Sequence, residues 1–248
     1  MAQSIYMRGQ GRLKVAQYDT NGILGGYRFV GSCPMLKLDP KTTFIEHRED
    51  ITGSRYKDLK IVDTSELMVS FTLDVGTIDN YSLGFFGDVT TDAGIGTFTS
   101  VLPTVVVGLD YKFGRAGYVV TTVTDSAATP ATIPATSYTV NKDGTLTFNN
   151  VGTFVQPFNV AGTKAPSSSV AILSRPTSII ALMFEGLNTA DGRKGFVVDI
   201  PRISLNPAKS YDIIGSTLSK MELDGEAIFD ANSIGTGPLT GFGSITKV

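Results

Sequence analysis

Apolar and polar residues alternate along several segments of this chain, and this period of two most restricts its fold. The clearest case is the segment 66–74, where Leu67, Val69, Phe71 and Leu73 fall on one face of an extended strand. The other face carries Glu66, Met68, Ser70, Thr72 and Asp74. Such a strand belongs in a sheet with one buried face and one polar face.

Further segments share this extended pattern, and helix signals are sparse. Strand-like runs cover 27–38, 42–49, 118–124, 137–149, 178–187, 195–205 and 219–229. Within the first run, Gly31 and Pro34 indicate a bulge or an edge strand. Asp143-Gly144 predicts a two-residue hairpin turn with positive φ at both positions. The best helix is 77–87, with Asp79 or Asn80 as N-cap and Gly87 after its end.

The charge balance argues against several classes of protein. Lys and Arg number 21 against 23 Asp and Glu, so no large positive field favours tight nucleic-acid binding. No apolar run approaches the ~20 residues that span a bilayer, and the N-terminus lacks the apolar core of a signal peptide. A single Cys excludes an internal disulfide, and a single His excludes a His-rich metal site.

Catalytic motifs are missing from the sequence. It contains neither a GxSxG elbow nor a P-loop, and its acidic pairs are adjacent or flank turns. His47, between Glu46 and Arg48, is interpreted as a solvated or salt-bridged strand residue, and Cys33 as a small buried one. The sequence therefore predicts a non-enzyme without metal or cofactor.

Irregular segments define the predicted domain organisation. Residues 1–22 are predicted to be an N-terminal arm, 23–231 a β-domain with a surface insertion at about 89–136, and 232–248 a C-terminal arm. The 126–135 stretch is rich in Pro, Ala and Thr, as a surface loop is. The segment 50–61 is charged and is predicted to be a loop between two strands. The C-terminal arm keeps spaced apolar residues, so we expect it to dock on a partner surface.

The order of motifs along the chain carries a family resemblance. It begins with Gly31-Ser32-Cys33-Pro34, Phe44-Ile45-Glu46-His47-Arg48-Glu49, the 50–61 segment and the 66–74 strand. Then come Leu83-Gly84-Phe85-Phe86-Gly87-Asp88, Ser137-Tyr138-Thr139-Val140 and Asp143-Gly144-Thr145-Leu146-Thr147-Phe148. Last come Phe184-Glu185-Gly186-Leu187-Asn188, the 197–205 strand and Leu223-Asp224-Gly225-Glu226-Ala227. This order, over most of residues 23–230, resembles the major tail tube proteins of long-tailed, non-contractile bacteriophages.

The resemblance implies a β-sandwich or barrel-like core with one flanking helix, long loops and terminal arms. It also implies a virion structural protein that closes into rings, usually hexameric, which stack into a tail tube. Such a tube is assembled in the bacterial host cytoplasm around a tape-measure protein, meets tail terminator and distal tail proteins, and conducts double-stranded DNA. The implied partners are therefore copies of the chain itself and these tail proteins. DNA passes without specific binding, and no membrane is involved.

Candidate residues follow from this resemblance. A wall that lets DNA slide needs few cations, so the lumen-facing candidates are Glu66, Ser70, Thr72, Asp74 and Asp199. The inter-subunit loop candidates are Asp50, Thr52, Ser54, Arg55, Tyr56, Lys57 and Asp58. The arm-contact candidates are Arg8, Arg12, Leu239 and Phe242.

Other functions fit parts of the pattern. The polar face of 66–74 is equally typical of the solvated side of an ordinary sheet. A ring-forming tube protein of a contractile injection or type VI secretion system would share the core fold. A carbohydrate-binding β-sandwich would need exposed aromatic residues on one face, and the chain has no Trp. An enzyme would have only His47 and scattered acidic residues as candidate catalytic groups.

Overall fold

The computed structural model describes residues 6–51, 53–230 and 241–247. Strands make up 51% of the chain and helical residues 4%, and the strands form several antiparallel sheets. The prediction of a mainly β fold with one α-helix is therefore confirmed. In chain order the strands are β1 (Gly9–Gln17), β2 (Arg28–Phe29), β3 (Met35–Arg48), β4 (Lys57–Leu73), β5 (Asp88–Ala93), β6 (Thr97–Val101), β7 (Asp110–Lys112), β8 (Val119–Thr124), β9 (Tyr138–Val140), β10 (Thr145–Phe148), β11 (Asn159–Thr163), β12 (Pro166–Ala171), β13 (Ser178–Asn188), β14 (Lys194–Leu205), β15 (Met221–Ala227) and β16 (Ser244–Lys247).

The chain divides into two compact units. The first contains Met1–Asp88 and Val170–Val248, and the second contains Val89–Ser169. The sequence predicted a surface insertion at about 89–136, and the second unit begins at that point but continues to Ser169. The difference has a physical cause, because β9, β10 and β11 contribute to the core of the second unit.

The first unit is built on an eight-stranded antiparallel sheet. The strand order is β2-β1-β13-β14-β15-β4-β3, and β16 pairs with β14 beside this path. The longest contact is the hairpin of β3 and β4, which pairs residues from Met35 with Thr72 to Arg48 with Lys57. Strand β1 pairs with β13 from Gly9 with Asn188 to Gln17 with Ile180.

One hydrophobic core lies against the inward face of this sheet. The predicted alternation of 66–74 is confirmed, because Val69, Phe71 and Leu73 are buried and Leu67 packs beside them. Other strands contribute Leu13, Val15, Ile180, Leu182, Val198, Ile200, Ile203, Leu205, Met221 and Leu223. Burying this many large aliphatic side chains is the main source of the unit's stability.

The one described α-helix, α1 (Ile78–Gly84), packs on the same core through Leu83. The predicted N-caps Asp79 and Asn80 are wrong: Thr77 caps the helix, and its hydroxyl accepts a hydrogen bond from the Asn80 backbone N–H at 3.2 Å. Asn80 is instead fully buried, and its amide donates to the carbonyls of Val30 and Val75. The helix also ends earlier than predicted, at Gly84.

The second unit has its own core and two three-stranded sheets, ordered β6-β11-β8 and β7-β10-β9. The buried residues are Leu102, Val105, Phe113, Val123, Ile133, Leu146, Phe148, Phe158 and Val160. The predicted hairpin at Asp143-Gly144 is present as β9 and β10, but its turn is not the two-residue type. Asn141 N–H bonds to the Thr145 carbonyl, which leaves three loop residues, and only Gly144 has positive φ (85°).

The two predicted arms contain strands of the large sheet. Residues 9–17 of the predicted N-terminal arm form β1, which has β2 on one side and β13 on the other. At the other end, Ser244–Lys247 pair with residues 196–199 of β14. Residues 9–17 and 244–247 therefore belong to the large sheet of the same chain, where they pair along the backbone.

Candidate functional site: an exposed hairpin and a polar sheet face

The outer half of the β3–β4 hairpin is exposed on both faces. From Pro40 to Arg48 and from Lys57 to Glu66, every residue is solvent-exposed, whereas the inner half of β4 is buried in the core. This outer half, 42–48 with 57–65, is called the exposed hairpin below. Two-stranded ribbons without packing on either face are marginally stable in water. Within the described chain, this ribbon therefore lacks the packing that stabilises most hairpins.

One face of the exposed hairpin carries an aliphatic cluster. Ile45 lies opposite Ile61, and His47 lies opposite Leu59, so the four side chains share one face, called here the His47 face. The aliphatic members are about half exposed, with Ile45 at 52%, Leu59 at 48% and Ile61 at 47%. At the edge of this face, His47 Nδ1 lies 2.7 Å from Asp58 Oδ1. This hydrogen bond lowers the pKa of Asp58.

The opposite face, called here the Phe44 face, mixes apolar and charged groups. Phe44 lies opposite Val62, and Glu46 lies opposite Lys60. The Lys60 ammonium sits 3.9 Å from the centroid of the Phe44 ring, a cation–π contact. Lys57 Nζ forms an ion pair with Glu46 Oε1 at 2.5 Å. Both faces of the hairpin therefore present apolar groups to solvent.

The predicted charged loop is shorter than expected. Of the inter-subunit candidates, Asp50, Ser54, Arg55 and Tyr56 lie in the turn, whereas Lys57 and Asp58 belong to β4. Thr52 lies outside the described residues. In the turn, Glu49 N–H donates to the Tyr56 carbonyl at 2.9 Å, and Arg55 approaches Asp50 at 3.7 Å. Cross-strand pairing with β3 overrides the low strand propensity of Lys57 and Asp58.

The lumen candidates lie on or near the outward face of the large sheet. Glu66 and Ser70 point away from the core on β4, and Asp199 does so on β14. Burial raises the pKa of Asp199, and its Oδ1 is buried without a hydrogen bond. Asp74 follows β4, and its Oδ2 accepts a hydrogen bond from the Ser32 hydroxyl at 3.4 Å.

Thr72 departs from the expected pattern, because it is only 5% exposed in the single chain. It faces away from the core like Ser70, but its cross-strand neighbours are Met35 and Glu222, which have longer side chains. Thr72 therefore offers almost no side-chain surface to solvent in the single chain, and its position on a channel wall stays a prediction.

The outward face also carries cations that the 66–74 pattern did not indicate. Lys37 lies opposite Ser70, and Arg12 lies opposite Glu185. Several of these cations have a carboxylate partner: Lys14 pairs with Glu185 at 2.8 Å, Lys37 with Asp39 at 3.3 Å and Lys209 with Asp224 at 3.4 Å. The face is thus a mixed, largely paired surface rather than a purely acidic one.

The arm-contact candidates contact residues of their own chain. The Arg12 guanidinium lies 5.3 Å from the Phe29 ring centroid, and Arg8 N–H donates to Asn188 Oδ1 at 2.9 Å. Phe242 is half-buried against the core and packs edge-on against Phe229 at 5.7 Å. Leu239 lies outside the described residues.

A cavity with both polar and apolar walls lies in the same unit as the exposed hairpin. A cavity of about 770 Å³ opens between β3 and the strands around β14. Its walls include Phe29, Met35, Leu38, Phe196 and Ile245. Phe29, Met35 and Ile245 are exposed there, so the cavity presents apolar groups to solvent.

Sequence reasoning missed the apolar character of the exposed hairpin. Two signals could have shown it: Phe44-Ile45 and Ile61-Val62 place consecutive apolar residues on both faces of their strands. In a strand with one solvated face, apolar residues would occupy only every second position. Adjacent apolar residues in a charged hairpin therefore predict a ribbon with apolar groups on both faces.

In residues 6–51, 53–230 and 241–247, no three His, Cys, Asp or Glu side chains come together as metal ligands. The half-buried Cys33 thiol donates to the Met35 carbonyl at 3.1 Å, and burial raises its pKa. Within the same ranges, no helix is long and apolar enough to cross a bilayer.

Comparison with known proteins supplies a family but no function. No curated protein matches the chain. A family model covers residues 6–246, which includes both compact units. The chain therefore belongs to the family described as protein of unknown function UCP028589.

Proposed function

We propose that this protein is the structural subunit of a phage tail tube, whose copies close into rings that stack into a conduit for double-stranded DNA. The observation that carries the proposal is the exposed hairpin, with apolar groups on both of its faces. Apolar surface of this kind, rimmed by charges, marks a protein interaction site. In the proposed tube the hairpin of each copy lies against neighbouring copies.

Two different surfaces on one copy fit this kind of assembly. The exposed hairpin presents apolar side chains on both faces, whereas the cavity between β3 and β14 is a recess with polar and apolar walls. A contact between unlike surfaces of identical copies is heterologous, and it generates rings when the rotation closes and filaments when it does not. A subunit with both surfaces can therefore extend its assembly without any other protein.

Unpaired strand edges support the same proposal. Among the described residues, β3 of the large sheet is hydrogen-bonded to β4 on one side only, and its other edge is the end of the sheet. Exposed edges of this length are templates for pairing with another chain. In a closed ring, pairing between neighbouring sheets would satisfy these backbone groups.

The polar outward face suits a DNA conduit better than a DNA-binding surface. A Lys or Arg that contacts phosphate adds salt-dependent affinity for the duplex. Here Lys14 and Lys37 already have carboxylate partners, and Glu66 and Asp199 add negative charge. We infer that such a wall holds DNA weakly. The tape-measure, terminator and distal tail proteins are the other expected partners, with the virion tail as location.

Electron microscopy of the purified protein tests the proposal. Negative-stain images at rising protein concentration should contain rings, or tubes whose wall is about one subunit thick. Ile45→Thr with Ile61→Thr removes a cross-strand aliphatic pair from the His47 face and keeps β-branched side chains. We expect this variant to fold normally and to raise the critical concentration for assembly at least tenfold, about 1.4 kcal/mol.

A matched variant controls for the loss of two isoleucines. Ile213 and Ile214 are almost fully exposed in a loop of the same unit, so Ile213→Thr with Ile214→Thr should assemble like wild type. Circular dichroism should give the same spectrum for all three proteins. A protein that stays monomeric at every concentration would contradict the proposal, as would equal assembly of the two double variants.

A further inference from the structure

We propose that assembly of this protein is linked to proton uptake at the His47–Asp58 pair, so that assembly strengthens as pH falls from 8 towards 5.5. This inference rests on the proposed function, because it concerns the hairpin surface that the proposed assembly covers. It adds a dependence of assembly on pH, which the proposed function by itself does not require.

The pair lies where a covered interface would enclose it. His47 is on the same face as Ile45, Leu59 and Ile61, and its Nδ1 lies 2.7 Å from Asp58 Oδ1. The side chains of both partners are about half exposed in the free chain. A neighbouring copy that covers the aliphatic residues must therefore also remove water from the pair.

Several charged groups near the pair have interaction partners of their own. His47 lies on β3 and Asp58 on β4, close to the turn that joins the two strands. Glu46, Lys57 and Lys60 are on the Phe44 face, where Glu46 pairs with Lys57 and Lys60 stacks on Phe44. The other charged groups of β3, β4 and the turn in this half of the hairpin are Lys41, Arg48, Glu49, Asp50, Arg55 and Asp63. Of these, Arg55 lies 3.7 Å from Asp50, and Arg48 donates to the Arg55 carbonyl.

The sign of the effect follows from the net charge that is covered. With His47 protonated, the pair is an ion pair of zero net charge. With His47 neutral, the hydrogen bond remains but Asp58 leaves one uncompensated negative charge. Removing water from an uncompensated charge costs more than removing it from a matched pair. The covered state therefore takes up a proton more readily, and low pH favours assembly.

Composition makes this linkage easy to assign. The chain has a single histidine, and histidine is the side chain that ordinarily titrates near pH 6.5. The other groups to consider are the α-amino group, Cys33, whose pKa is raised by burial, and Asp199, whose pKa is also raised by burial. The contribution of each group to proton uptake can be separated from that of His47 by substituting the side chain or by chemically blocking the α-amino group.

The experiment measures the critical concentration for assembly of the full chain between pH 5.5 and 8 at constant ionic strength. For wild type we expect a value about tenfold lower at pH 5.5 than at pH 8, which corresponds to an average linked uptake of about 0.4 proton per subunit over this range. His47→Gln should give a flat profile. If wild type assembles equally at all pH values, the inference is overturned while the proposed function stands. Failure to assemble at any pH would refute both.

Asp58→Asn gives a sharper result, because the sign should reverse. In that variant neutral His47 leaves no charge, and protonated His47 leaves one uncompensated positive charge. Assembly should then weaken at low pH. Glu222→Gln is the matched control, since it removes an exposed carboxylate from the large sheet outside the exposed hairpin, and it should keep the wild-type profile. An unchanged slope in Asp58→Asn would overturn the inference.

Proton uptake can also be measured without any variant. Calorimetric assembly of wild type at pH 7 in two buffers with different ionisation enthalpies should reveal net uptake of a fraction of one proton per subunit. This result is expected even if His47→Gln fails to fold. No uptake, or net release, would contradict the proposed linkage.

Discussion

Single residues of this chain illustrate what alternation can and cannot predict. The period of two places Asp199 on the outward face of β14, and the structure agrees. It does not reveal that the carboxyl is half-buried, with Oδ1 shut away from solvent and without a hydrogen bond. Burial depends on the side chains of neighbouring strands, and one strand's sequence does not contain them.

Asp199 leads to a prediction about stability and pH. Burial raises its pKa in the folded chain, so folding favours the protonated acid, and this favourable contribution is lost as pH rises through the raised pKa. Asp199→Asn mimics the neutral form. We expect a higher Tm than wild type at pH 7.5, and a smaller difference at pH 4, in thermal unfolding followed by circular dichroism.

The control for Asp199→Asn is Glu222→Gln, an exposed carboxylate on the same sheet. That change should leave the Tm nearly unaltered at both pH values, because surface charges contribute little. A Tm for Asp199→Asn that equals or falls below wild type at pH 7.5 would contradict the expected cost of the buried charge.

The type of each secondary-structure element was predicted more reliably than its first and last residues. Strands β4, β13 and β14 overlap the segments that periodicity indicates, and helix α1 lies within the predicted 77–87, although Thr77 caps it rather than Asp79 or Asn80. Strand β4 nevertheless begins at Lys57, well before the predicted start at Glu66. Polar residues in the exposed hairpin carry no burial pattern, and their strand conformation comes from pairing with β3. Local sequence cannot record a partner strand.

The turn between β9 and β10 gives a prediction at this scale. Gly144 has φ of 85°, and a Cβ there would lie 2.7 Å from the Gly114 carbonyl oxygen. Gly144→Ala therefore combines backbone strain of about 1 kcal/mol with a clash against backbone that must move. We expect a loss of about 2–3 kcal/mol in denaturant unfolding of the second unit.

Gly108 in the same unit separates strain from crowding. Its φ of 84° matches Gly144, but a Cβ would meet no atom within 4 Å. Gly108→Ala should therefore cost only the strain, about 1 kcal/mol. Equal losses for the two variants would mean that the close approach to Gly114 is unimportant.

At the scale of the whole molecule, the sequence indicated the fold class and an insertion. It did not indicate the second hydrophobic core, or that β1 lies between β2 and β13 in the large sheet. A second core needs contacts between segments as far apart as Leu102 and Phe158. Strand β1 pairs with β13, about 170 residues later. Composition and periodicity describe local preferences, and such distant pairings follow from the energy of the complete chain.

The separate cores predict that the first unit folds without the second. Replacing 89–169 with a short Gly/Ser linker should leave a folded protein, because the first unit keeps its sheet, helix α1 and core. Its amide protection in hydrogen exchange should match the same residues of the full chain. An unfolded product would mean that the two cores depend on each other.

The pairing of β5 with β12 has a consequence for how this chain can change. The chain leaves the first unit after Asp88 and returns at Val170, along two strands that are hydrogen-bonded to each other. Two points held side by side can be joined by any compact segment whose own ends are close together. Descendants of this gene can therefore lose, enlarge or replace residues 89–169 in one step, and engineers can use the same junction to carry a foreign domain.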